Sequence, residues 1–361
     1  MVAGCLAVLG LAGIVIGAGP AFKSTTTVGA ASGDLYFTTY KPGTVDKVSY
    51  SLNRGALSLS PVTVVTQLPG ADGIVFASDG RLLVGAGNGT VFAVDPSSGE
   101  ATSVKAGTGA FMLALSPDGK TLYTGGLPGP LSAIVLAPLG PGHLTVLSGD
   151  DARISGLAFG PDGRALYTSS DPGGRGDIGI VNLRTGLTRR LFQNVPGAHG
   201  VVYDPYTDTY ILSGGSTVQQ LSAVDPSQVV SQTTLPITSI DQGAVDGHGH
   251  ALMASNGGSL IYIDYSATKR VGDLADHVSI KHLATHLDDV APLIGPGARP
   301  TPTLAHLWTD GGVGALVLAG LAGAGYAVTV RRRRRPTLAR RLPRWDVRRQ
   351  QAARQTDDDS V

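Results

Sequence analysis

Between Asp34 and Gly295 the hydrophobic residues fall in short runs, some alternating with polar residues and some continuous, each bounded by Gly, Pro, Asn or Asp. That is the pattern of β-strands joined by tight turns. One phrase recurs. Gly156 to Ser170 reads GLAFGPDGRALYTSS: a short apolar strand, a Pro-Asp-Gly turn and a second strand with a Tyr near its centre. It returns as GIVFASDGRLLVGAG from Gly73 and MLALSPDGKTLYTGG from Met112, and more loosely as GVVYDPYTDTYILSG from Gly200 and QGAVDGHGHALMASN from Gln242. A single hairpin cannot bury both faces, so a unit repeated every ~40–45 residues must stack against copies of itself. The pattern predicts an all-β fold over residues 33–294, a six-bladed β-propeller. Seven blades are possible if the segment 23–31 adds a strand.

The first three runs, DLYFTTY, VDKVSYSL and VTVVTQL, read as the second to fourth strands of a blade whose first strand is missing. Blade two is complete, with Asn88-Gly89 expected as a two-residue turn at positive φ. Blades three to six start near Phe111, Ser155, His199 and Asp241. After blade six comes HLDDVAPLIG, a first-strand phrase with nothing to follow it. Pairing it with the amino-terminal blade would close the ring through both ends of the chain and leave no free sheet edge.

Outside the ring the composition changes. Residues 1–23 begin with an apolar stretch rich in small residues and are expected to be a signal peptide or signal anchor. Residues 295–310 form a Pro-rich juxtamembrane linker. Residues 311–330 are twenty uncharged residues, the length of a transmembrane helix, preceded by Trp308 and followed by Arg331 to Arg335. The positive-inside rule then puts the tail 331–361 in the cytoplasm and the propeller outside the plasma membrane, in a single-pass protein. The net charge of +1 conceals an asymmetry: the tail carries eleven Arg and four Asp, the rest 17 basic and 23 acidic residues. The tail is expected to lie on anionic lipid headgroups, in preference to nucleic acid. The only cysteine, Cys5, lies outside the predicted ring, so the ring has no disulfide or thiol chemistry.

In such a blade the first strand lines the central channel. Aligning the repeats brings Asp72, Phe111, Ser155, His199, Asp241 and Asp288 or Asp289 to one rim. Carboxylates with an imidazole at a channel mouth suit a divalent cation such as Ca²⁺ or Zn²⁺. They equally suit a solvated polar rim. On that rim Asp171, Arg175 and Asp177 of the run DPGGRGD are expected in a loop available for binding. His277, His282 and His286 form the densest histidine group, in a stretch that reads as an outer strand and crossover rather than a metal-binding helix. There is no G-x-S-x-G elbow of a Ser-His-Asp hydrolase, no phosphate-binding loop and no dinucleotide fingerprint.

SPDGKTLYTGG, GPDGRALYTSS and TVFAVDPSSGE resemble the YVTN or lactonase-like β-propeller superfamily over about Asp34 to Gly295. The resemblance implies a propeller. It also implies, as one alternative, a metal-dependent lactonase or lyase, with Asp72, Asp241 and Asp289 at the positions of acidic ligands and His199 as the one match to a lyase-type histidine. Phe111 and Ser155 interrupt that ring of ligands. The first expectation for function is therefore a membrane-anchored extracytoplasmic propeller that binds a protein or surface ligand, with the enzyme as alternative.

Overall fold

In a computed structural model of the chain, the described residues are 30–292, apart from 54–55, 106, 108, 127–130, 138–139, 148–152, 171–173 and 273–277. The segments 1–23, 295–310, 311–330 and 331–361 lie outside them. Among the described residues no helix is long and apolar enough to cross a membrane.

The strands form six antiparallel sheets. The first holds β1 (Ala30–Thr39), β2 (Thr44–Asn53), β3 (Ala56–Leu59) and β4 (Thr63–Gln67). The second is β5 (Ala71–Phe76), β6 (Leu82–Ala86), β7 (Thr90–Val94) and β8 (Ala101–Lys105). The third is β9 (Met112–Leu115), β10 (Thr121–Gly125), β11 (Ser132–Ala137) and β12 (Gly140–Val146). The fourth is β13 (Gly156–Phe159), β14 (Ala165–Ser170), β15 (Arg175–Val181) and β16 (Thr188–Pro196). The fifth is β17 (Gly200–Asp204), β18 (Thr209–Gly214), β19 (Thr217–Ser222) and β20 (Val229–Thr234). The sixth is β21 (Ile240–Val245), β22 (His250–Ser255), β23 (Ser259–Asp264) and β24 (Val278–His282). The last strand, β25 (Leu287–Pro292), returns to the first sheet and pairs antiparallel with β1. The ring therefore has six blades, and the expected closure through both ends of the chain is present.

The first blade departs from expectation in its outer strand. β3 pairs with the Tyr50–Asn53 half of β2 and β4 with its Thr44–Lys47 half, so two short strands do the work of one. Asn88-Gly89 also differs. Only Gly89 takes positive φ (78°), and its N–H donates to Ala86 O at 2.8 Å, so the turn is one residue longer than a two-residue hairpin loop. The recurring turns work similarly. Gly80, Gly119 and Gly163 all have positive φ, and the preceding Asp79, Asp118 and Asp162 each accept the N–H two residues on. An Asp that caps its own turn followed by Gly is what makes the phrase repeat.

The core is distributed around the ring. Six clusters of buried residues lie one at each blade junction, for example Leu35, Phe37 and Leu57 against Leu252, Leu260 and Tyr262, with Leu287 of the closing strand between them. Near the channel the junctions are stitched by hydroxyls on the second strands. Thr38 Oγ1 donates to Asp72 O (2.5 Å), Thr168 Oγ1 to His199 O (2.6 Å) and Ser213 Oγ to Asp241 O (2.6 Å). Between blades two and three Gly85 takes this role differently: a Cβ there would lie 1.9 Å from Ala110 O, so only a glycine permits the close approach. These stitches fix the backbone of the very residues that open onto the channel.

Candidate functional site at the channel mouth

The innermost strand of each blade is β25, β5, β9, β13, β17 or β21, and two groups separate by register. β9, β13 and β17 pair evenly with their neighbours. β5, β21 and β25 each carry an irregularity: between Ala71 and Ile74, between Ile240 and Gly243, and opposite Phe37 to Thr39. Those bulged stretches contain Asp72, Asp241 and the pair Asp288-Asp289. A bulge re-aims a side chain without ending the strand, and here it occurs at each first strand that brings a carboxylate to the mouth.

The sequence left Asp288 and Asp289 as alternatives; the structure gives them different roles. Asp289 is stitched into the first junction. Its N–H donates to Thr38 Oγ1 at 3.1 Å, and its carboxylate accepts the Ile74 N–H. Asp288 faces Asp72, and their carboxyls lie within hydrogen-bonding reach of one another. With both ionised, the buried Asp288 Oδ2 meets no donor. Burial first, then the negative charge of Asp241, pushes the Asp288 carboxyl up to about 7 from 3.8. Burial and the charges of Asp288, Asp289 and Asp241 hold Asp72 well above its ordinary range, and burial with Asp288 and Asp241 does the same to Asp289. Two carboxyls in contact away from water retain a proton between them.

His199 stands at the entry to β17 in blade five, beside Asp241 of blade six, and is held through both backbone and ring. Its N–H donates to Ser213 O at 3.3 Å, and its carbonyl accepts both Thr168 Oγ1 and Ser155 Oγ, the latter at 2.8 Å. The ring is engaged at both nitrogens: Nε2 meets Asp241 Oδ1 at 2.6 Å and Nδ1 meets Ser170 Oγ. Burial disfavours the imidazolium, but the hydrogen bond to Asp241 and the charges of Asp241 and Asp288 outweigh it, so the His199 pKa is raised.

Ser170 was not among the residues picked from the sequence, and no local motif marks it. Ser170, His199 and Asp241 belong to three successive blades, so the arrangement arises only when the ring is assembled. Ser155, expected at the rim, is buried and spends its hydroxyl on His199 O. Phe111 lies beside Gly87 and Gly109, where it fills the second and third blades' share of the rim with an apolar ring.

The metal set implied by the family resemblance does not fit. Among the described residues no three His, Cys, Asp or Glu side chains are arranged to hold a metal ion. Asp72 and Asp288 face each other, Asp289 is spent on Ile74, Asp241 and His199 are engaged with one another, and the remaining positions are Phe111 and Ser155. The expected binding loop also changes character. Asp171 lies outside the described residues, while Arg175 and Asp177 are in β15 rather than in a loop. Arg175 donates to Asn194 Oδ1 and Asn194 O, both at 2.7 Å, and Asp177 pairs with Arg190 at 2.8 Å. These contacts tie β15 to β16 within the blade. His277 also falls outside the described residues; His282 ends the outer strand β24, and His286 Nδ1 lies 3.0 Å from Tyr40 Oη, next to the closure.

No protein-family model and no curated protein sequence matches the chain. Similar folds occur among solved structures. A protein of unknown function from Bacteroides caccae superimposes with a TM-score of 0.52 at 10% identity, over 73% of this chain and 99% of that one. Hydrazine synthase of Kuenenia stuttgartiensis gives 0.48 at 13% identity, over 71% and 88%. A streptogramin B lyase gives 0.42 at 14% identity, over 60% and 70%. At such identities the likeness concerns the fold alone; the six-bladed β-propeller itself rests on the sheet topology of the described residues.

Proposed function

We propose that the chain is a membrane-anchored, extracytoplasmic propeller of the YVTN or lactonase-like type that acts as a binding module, with its ligand site at the channel mouth. The observation that carries this reading is the Asp72–Asp288 pair. A half-buried carboxyl against a buried one, repelling each other when both are ionised and with Asp288 Oδ2 left without a donor, is costly to the fold and offers nothing to its packing. A ligand that brings positive charge or several N–H or O–H donors would replace the shared proton and satisfy the oxygen. The ligand class is therefore an organic cation or a donor-rich polar group. The address rests on the sequence: residues 1–23 read as a signal, 311–330 as a span and Arg331 to Arg335 as its cytoplasmic flank, with the basic tail on anionic lipid.

The test is a thermal-shift series on the full chain at pH 7 with spermidine, arginine amide and a neutral polyol as probes, and with Ca²⁺ and Zn²⁺ in parallel. Ligands that bind the folded state raise the melting temperature. An organic probe should raise it in the wild type and fail to do so in Asp72→Asn/Asp288→Asn. Equal shifts in both proteins, or a response to the metals alone, would overturn the reading.

A further inference from the structure

We infer that Ser170 is a nucleophile, activated by His199 and Asp241, that cleaves a neutral or cationic ester at the channel mouth. The inference rests on the mouth being a ligand site and adds chemistry to it. Asp241 Oδ1 accepts from His199 Nε2–H at 2.6 Å. In the neutral imidazole the other nitrogen, Nδ1, then carries a lone pair, and it is this nitrogen that meets Ser170 Oγ. A hydroxyl donating to an imidazole whose far nitrogen is held by a carboxylate is the arrangement that activates a serine, whatever fold supplies it.

Three further features suit the role. The imidazole is fixed through its backbone by Ser155, Thr168 and Ser213, so its aim at Ser170 does not depend on the side chain alone. The reacting groups are reachable, since the His199 side chain keeps 23% of its surface exposed and Ser170 is only partly buried. The carboxylate of Asp241 beside it, with the negative charge that the Asp72–Asp288 pair keeps after sharing one proton, repels an anionic acyl group and accepts a neutral or cationic one.

The step balances without an added oxidant or metal. Ser170 Oγ bonds to the acyl carbon as its proton passes to His199 Nδ1, and the ester C–O bond breaks as that proton leaves with the alcohol. Water then gives a proton to Nδ1 and bonds to the acyl carbon. The acyl–Oγ bond breaks, the carboxylic acid departs, and the proton returns to Ser170.

The full chain is treated with a fluorophosphonate probe, which phosphonylates activated serines, and the modified residue is located by peptide mass spectrometry. A p-nitrophenyl acetate burst is measured alongside. Labelling is expected at Ser170, with about one equivalent of p-nitrophenol released in the burst. Both should be absent in Ser170→Ala and reduced at least about tenfold in His199→Gln, the loss expected when a nucleophile loses its base. Ser169→Ala, the neighbouring hydroxyl, should label as the wild type does. Absence of label at Ser170 in a wild type of normal melting temperature overturns the proposal, as does labelling unchanged in His199→Gln. Ser170→Ala retains Asp72 and Asp288, so it should still respond to the organic probes. A normal probe response without Ser170 labelling removes the nucleophile alone, whereas loss of the probe response removes the ligand site as well.

Discussion

Thr38 and Asp289 stand 251 residues apart in the chain and are joined by a 3.1 Å hydrogen bond from the Asp289 amide to Thr38 Oγ1. The same hydroxyl donates to Asp72 O at 2.5 Å. One threonine thus links the closing strand β25, its own strand β1 and the first strand of blade two. Thr38→Val keeps the shape and removes the hydroxyl, leaving a buried amide and a partly buried carbonyl short of a partner. The expected cost is about 1–3 kcal/mol, seen as a lower midpoint in urea unfolding with an unchanged slope. An unaltered midpoint would show that the stitch is idle.

Leu287 lies fully buried among residues of blades one and six. Leu287→Ala should destabilise the ring by about 2–5 kcal/mol, because it removes the packing of the closing strand against blades one and six. Differential scanning calorimetry would check this, and a loss below about 1 kcal/mol would mean that hydrogen bonds alone hold the closure.

Gly85 tests how closely two blades must approach. Gly85→Ala places a methyl group 1.9 Å from Ala110 O, a backbone atom that cannot step aside. Overpacking of this kind costs about 1–3 kcal/mol or more. A variant as stable as the wild type by thermal melting would contradict the tight second junction.

The mouth should make stability depend on pH in a defined direction. The Asp288 carboxyl is raised from 3.8 to about 7 in the folded chain, so the fold binds more protons than the unfolded state between those values. Its contribution to stability is fully present below about 3.8 and is lost as pH rises through about 7. Asp72 and Asp289 shift in the same direction, and His199 and His250, also raised, lose their contributions as pH rises past 6.5. Asp288→Asn should therefore match the wild type in melting temperature near pH 4 and exceed it above pH 7. Parallel curves for the two proteins between pH 4 and 8 would refute this account.

The repeat made the ring legible in the sequence. A Pro-Asp-Gly turn between two apolar runs is a local signal, and its spacing points to six blades, or seven with an added strand, and to a closing strand. First-strand positions also followed from alignment, which is why Asp72, His199 and Asp241 were found. The rest depended on geometry that no local pattern encodes. Ser170 meets His199 across a blade boundary, with no elbow motif because three blades share the work. Asp288 and Asp289 could not be told apart, since a bulge in β25 breaks the alternation that assigns side chains to faces. Arg175 and Asp177 looked like loop residues because Gly surrounds them, but Asn194 and Arg190 on β16 extend the strand to include them.

The closing strand carries Asp288 as well as the hydrogen bonds that seal the ring. A chain synthesised only as far as blade six has Asp72, His199 and Asp241 but lacks the carboxyl that faces Asp72. The mouth therefore comes into being with the final seam, and an unfinished or nicked propeller would lack one half of the Asp72–Asp288 pair. Ring closure and completion of the acidic mouth are thus one event, made by the same strand.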